Sequence, residues 1–117
     1  MTQNDVLKNI VKTLDSKKAE EIDVIGIKDL TIIADYFVIA TGTSTTHTKS
    51  LADEVEYQLK EKGINPTRTE GYNGANWILL DYSDIVVHIF YKETRQYYSL
   101  ERLWADGNKV DIKQFID

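Results

Sequence analysis

At 117 residues, with 42% hydrophobic and 28% charged side chains, the chain suits one folded domain over 1–117 and excludes a disordered polar tract. A formal charge of −5 opposes a broad electrostatic grip on phosphate backbones, so direct broad nucleic-acid binding is not expected and a nucleoprotein partner would be met through its protein part. The chain has no cysteine, which removes disulfides, thiolate metal sites and cysteine nucleophiles.

The opening MTQNDVLKNIVKTLD is polar and periodic, unlike a signal peptide, and no apolar run reaches membrane-spanning length, so a cytoplasmic protein with no membrane partner is expected. Residues 2–17 place Val6, Leu7, Ile10, Val11 and Leu14 on one helical stripe, and Thr2 to Asp5 resembles a capping box. EIDVIGI (21–27) alternates β-branched residues and predicts a strand, whereas the state of the following LTIIAD is open. YFVIATG (36–42) is an unbroken apolar run too short for a helix, which predicts a strand buried on both faces. A second helix follows, with Leu51, Ala52, Val55 and Leu59 at helical spacing, an i,i+4 pair of Glu56 and Lys60, and Gly63 as its C-cap.

TRTE (67–70), just after Pro66, predicts a short edge strand. GANWILLDYSDIVVHIFY (74–91) then reads as a hairpin around an Asp–Tyr–Ser–Asp turn. Thr94 is a candidate N-cap for a C-terminal helix carrying Tyr97, Tyr98, Leu100 and Trp104, and a turn at Asp106-Gly107-Asn108 precedes the tail. The order α-β-β-α-β-β-β-α predicts an α/β (α+β) domain with a mixed five-stranded sheet covered by helices.

Three enzyme-like features have plain structural counterparts. The turn from Thr41 to Thr45 runs from strand into helix, and helix N-termini suit phosphate, which keeps a nucleotide-binding or nucleotidyltransferase-like enzyme as the alternative function. It lacks the Gly-Lys pair of a Walker loop and the three-glycine dinucleotide fingerprint, and a Ser/Thr helix cap explains it as well. Asp53 with Glu54 on a helix, and Asp81 with Asp84 around a turn, do not supply the convergent carboxylates of a two-metal transferase. His47 and His88 are the only histidines, too few for a metal cluster, and His88 amid strand apolars suits a structural role. No catalytic residue, metal or cofactor is expected.

Binding fits the pattern better. In NWILLDY both alternating sets, Trp77-Leu79-Asp81 and Ile78-Leu80-Tyr82, are largely apolar, so either helices cover both faces or one face is kept for a partner. Tyr97, Tyr98 and Trp104 lie close in sequence to Arg95 and Arg102, a mixture enriched at interface hot spots. From pattern alone, Trp77 as core and Trp77 as contact stand equal.

DYFVIATGTSTTHTKSLADEVE, followed by EGYNGANWILLDYSDIVVHIFYKETRQYYSLERLW, closely resembles the bacterial ribosomal silencing factors, also called the Iojap-like family. The likeness runs from about Asp35 to Trp104, with FVIATGTS, W-I-L-L-D, D-I-V-V-H and L-E-R-L-W its most specific parts. It implies a nucleotidyltransferase-like fold without transferase activity. It also implies binding to the large ribosomal subunit through its fourteenth protein, blocking the small subunit and lowering translation in nutrient limitation. The family's contact region maps to Trp77, Ile78, Leu79 and Leu80; with neighbouring candidates, the expected partner-binding set adds Asp81, His88, Arg95 and Tyr98. Glu70, Asp81 or Glu93 would pair with basic groups of the ribosomal protein, and an apolar sheet face also suits a homodimer that opens on ribosome binding.

Overall fold

The computed structural model describes residues 2–30, 32–98 (backbone alone for 96–98) and 108–116. The first helix, α1 (Gln3–Ser16), starts where the sequence signals it should. Thr2 accepts from the Asp5 N–H at 3.1 Å, and the Asp5 carboxylate accepts from the Thr2 N–H at 3.2 Å, a reciprocal capping box. Its stripe of Leu7, Ile10, Val11 and Leu14 is buried. At its far end Lys18 takes a φ of 64° and the Ala19 N–H reaches back to the Leu14 carbonyl, a Schellman closure made without glycine.

Strand β1 (Glu20–Gly26) runs antiparallel to β2 (Tyr36–Gly42), which leads into α2 (Thr45–Lys60). That helix stops at the signalled glycine: Gly63 has a φ of 80°, its N–H meets the Lys60 carbonyl, and the Ile64 N–H meets that of Leu59. The short β3 (Arg68–Glu70), β4 (Trp77–Asp81) and β5 (Ile85–Tyr91) follow, joined by the expected turn at residues 81–84. α3 (Lys92–Tyr98) continues directly from β5, so Thr94 lies inside the helix rather than capping it. The expected C-terminal helix positions Leu100, Arg102 and Trp104 lie outside the described residues.

The chain forms an α+β domain around a mixed sheet in the order β3-β4-β5-β2-β1-β6, with β2 and β5 parallel and the other neighbours antiparallel. Among the described residues it has six strands rather than the expected five. The sixth, β6 (Asn108–Val110), covers the free edge of β1, and α4 (Lys113–Ile116) then returns Phe115 to the core. Three residues reading Asn-Lys-Val carry too little alternation to announce a strand; the unpaired backbone of β1 is what recruits them.

Strand alternation divides the sheet into two faces. Val24, Val38, Ala40, Ile78, Leu80, Val87 and Ile89 point toward α1, α2 and α4 and form the larger core. Ile25, Phe37, Ile39, Val86 and Phe90 point the other way and form a smaller cluster, against which Trp77 and Leu79 are only partly buried. β2 and β5 are therefore largely apolar, Thr41 and His88 excepted, because each has two buried faces.

Lys18 holds a left-handed conformation that costs an L-residue about 1 kcal/mol. Replacing it with glycine, Lys18→Gly, should raise stability by up to about 1 kcal/mol in urea denaturation, part of the gain being offset by glycine's freedom in the unfolded chain.

Candidate protein-docking surface

The second sheet face is where the expected contact residues separate. β4 alternates half-buried Trp77, Leu79 and Asp81 with fully enclosed Ile78 and Leu80. Ile78 and Leu80 are thus removed from the contact set: their side chains lie in the helix-covered core, and no partner reaches them while the domain is folded. Trp77, Leu79 and Asp81 share the opposite face.

Trp77 and Leu79 line, together with Glu70 and Gly71, a shallow hollow of about 300 Å³ beside the short edge strand β3. Glu70 was foreseen only as a charge; its place in the hollow follows from the register, which sets Glu70 opposite Leu79 and Arg68 opposite Asp81. Arg68 lies 3.5 Å from Glu70 and 3.8 Å from Asp81, so the rim carries one cation between two carboxylates. At such exposure these pairs add little to stability. Asp81 also accepts the Ser83 N–H at 2.8 Å, which fixes the hairpin turn.

His88 is not a surface contact. It is 4% exposed, beneath the face that Trp77 presents. The Trp77 Nε1–H donates to His88 Nδ1 at 3.1 Å, and the Phe37 ring meets the imidazole edge-on at 4.6 Å. Trp77 itself lies 4.9 Å from Phe90, its cross-strand partner. Because an indole nitrogen only donates, Nδ1 must be the bare nitrogen and the imidazole proton sits on Nε2. That Nε2 is buried with no hydrogen-bond partner among the described residues, a state that costs about 1–3 kcal/mol. Burial pushes the His88 pKa down to about 4.

Arg95 is also inside the protein. A bulge in β1 at Glu21, where φ is 46°, turns the Glu21 carbonyl toward the guanidinium, which donates to it. Arg95 further donates to Thr41 Oγ1 at 2.8 Å and to Asp23 Oδ2 at 2.6 Å, while Lys109 of β6 lies 3.2 Å from the same aspartate. This network ties α3 to β2, β1 and β6, so Arg95 serves the fold and its expected contact role is withdrawn. The Tyr98 side chain lies outside the described residues.

The Thr41 to Thr45 turn is occupied by its own caps. Ser44 Oγ accepts the His47 N–H at 3.0 Å, and His47 Nδ1 accepts the Thr43 N–H at 2.9 Å. The other nitrogen of His47 meets the Lys17 carbonyl at 2.8 Å, stapling the start of α2 to the end of α1. Gly42 is required by close approach: a Cβ there would lie 2.3 Å from Thr48 Oγ1 and 2.9 Å from the Thr48 backbone. Thr41 is buried against Arg95, and among the described residues no group of three or more His, Cys, Asp or Glu is arranged to hold a metal. Likewise, no helix among the described residues is long and apolar enough to cross a membrane.

A family model described as "Ribosomal silencing factor during starvation" matches residues 1–117. The chain belongs to that family. A ribosomal silencing factor of Halalkalibacterium halodurans is 39% identical over 116 residues, covering 99% of each chain. A crystal structure from Chromobacterium violaceum superposes with a TM-score of 0.87 at 32% identity, covering 95% of this chain and 92% of that one. The mouse protein named "Mitochondrial assembly of ribosomal large subunit protein 1" is 33% identical over 99 residues, which cover 82% of this chain and 43% of the mouse protein. The resemblance that starts near Asp35 in the motifs therefore extends through α1 and β1 as well.

Within this silencing-factor domain, His88 makes acid sensitivity predictable. Its pKa is about 4 when folded against 6.5 ordinarily, so between those values the unfolded chain binds a proton that the folded chain does not. Stability should be fullest above pH 6.5 and fall by on the order of 3 kcal/mol as pH drops toward 4 from this group alone. Urea melts across that window should show the slope in the native protein and a shallower one in His88→Leu.

Proposed function

We propose that the protein lowers translation in nutrient limitation by docking on the large ribosomal subunit, through its fourteenth ribosomal protein, and blocking small-subunit joining. The observation that carries this reading is the half-buried Trp77–Leu79 pair on a rigid strand. A solvent-facing aromatic with an aliphatic neighbour, beside a hollow and a charged rim, has the anatomy of an interface hot spot. Membership of the silencing-factor family supplies the partner class, and the net charge of −5 favours the protein part of the ribosome over its RNA.

The mechanism requires occupancy and no bond making. Trp77 and Leu79 bury apolar area against the ribosomal protein, while Glu70 and Asp81 at the rim meet its basic groups and fix register. Once seated, the domain stands in the space the small subunit needs. The protein is accordingly assigned no enzymatic activity and no cofactor, and it acts in the cytoplasm where ribosomal subunits are found. The same apolar face suits a homodimer that opens as the ribosomal protein replaces the second copy.

Purified large subunits pelleted with the protein test the anchor. Trp77→Ala should weaken co-sedimentation by about thirtyfold or more, the scale of a hot-spot truncation. Leu80→Ala, three residues along β4 but enclosed, should instead cost about 2–5 kcal/mol of stability. Undiminished co-sedimentation of a folded Trp77→Ala protein would remove Trp77 as the anchor.

A further inference from the structure

β5 is apolar at every position except one. Val86, Val87, Ile89 and Phe90 fill both cores, yet between them sits an imidazole that is 4% exposed and whose Nε2 lacks a hydrogen-bond partner among the described residues. A leucine there would remove the orphaned Nε2 but also the acceptor that Trp77 uses, so the histidine carries a burial cost that is offset only through its bond to the indole. What the histidine does provide is an acceptor, at the one place where the half-buried Trp77 can use it.

A tryptophan held only by packing at a sheet edge can turn about its side-chain torsions, exposing either its hydrocarbon ring or its N–H. Here Phe90, 4.9 Å away at an interplanar angle of 30°, supports the indole from below, and Nδ1 of His88 accepts its N–H at 3.1 Å. Phe37, packed edge-on against the imidazole, holds the acceptor in place. Leu79 stands directly across from His88 in the β4–β5 register. The indole nitrogen is thereby directed inward and the benzo ring is what the face can offer.

We propose that His88 is a positioning residue for docking: its Nδ1 fixes the one orientation in which Trp77 presents hydrocarbon to an apolar pocket on the ribosomal partner. This role rests on the docking function proposed above. It also states the partner's chemistry at that point, an aliphatic or aromatic pocket without an acceptor for the indole. His88 acts through Trp77 and touches no partner itself.

A double-mutant cycle on binding to isolated large subunits tests the role, using His88→Leu, Trp77→Phe and the pair. His88→Leu should bind about three- to tenfold more weakly, the effect of one lost hydrogen bond, while its urea midpoint at pH 7 stays level or rises. In the Trp77→Phe background, which keeps a ring but has no indole N–H, His88→Leu should cause no further loss. The indole N–H resonance that Trp77→Phe removes should be protected from exchange in the native protein and exposed in His88→Leu. Unchanged affinity of His88→Leu overturns the proposal, as does an equal loss in both backgrounds or a loss matched by a lower urea midpoint. Native protein that fails to pellet with large subunits would overturn the docking function itself, and this role with it.

Discussion

The parallel pairing of β2 with β5, Tyr36 against Ile85 through Gly42 against Tyr91, is the constraint on which the remaining architecture hangs. Parallel strands cannot be joined by a tight turn, so the chain between them must cross over. It does so through α2, β3 and β4, which places a helix on one face and returns β4 antiparallel to β5. Both central strands must then be apolar on both sides, and Val38, Ala40, Val87 and Ile89 fill one side while Phe37, Ile39, Val86 and Phe90 fill the other. Each such burial contributes about 1.5–3 kcal/mol, so the central pair is held firmly on both faces.

That firm packing is what makes the outer edge of the sheet usable. β4 leans on β5 along its whole length, and its inward residues Ile78 and Leu80 are locked under the helices. The outward residues Trp77 and Leu79 therefore stand on a firmly packed scaffold, and for the proposed docking such pre-organisation would reduce the ordering cost of association. At the far side of the sheet, Arg95 draws the bulged β1 and the start of α3 together, and Asp23 extends the link to β6 through Lys109. Among the buried polar side chains, Arg95 and His88 have opposite characters: Arg95 is multiply partnered and ties strands together, whereas His88 keeps an orphaned nitrogen and accepts from Trp77.

Much of this was legible in the residues. The capping box at Thr2, the closing glycine at Gly63, the two-faced run at 36–42 and the hairpin turn at residues 81–84 are local signals whose physics operates within a few residues, and the structure contains them all. The division of β4 was visible as an alternation, but both sets were apolar. Which set faces the helices depends on where α1 and α2 pack, so Ile78 and Leu80 were placed with the contacts by the resemblance and in the core by the structure. Arg95 was unreadable for a different reason: its partner Asp23 lies 72 residues away and is brought near by a bulge that no local pattern announces. The same holds for β6, whose three polar-leaning residues are a strand only because β1 offers an edge.

In the proposed mechanism, occupancy of the large subunit is itself inhibitory. Light scattering of purified large and small subunits, recorded as this protein is titrated to saturation of the large subunits, tests it most directly. Joined ribosomes should disappear in proportion to the fraction of large subunits occupied, with no dependence on added nucleotide. Normal joining at full occupancy would contradict that mechanism.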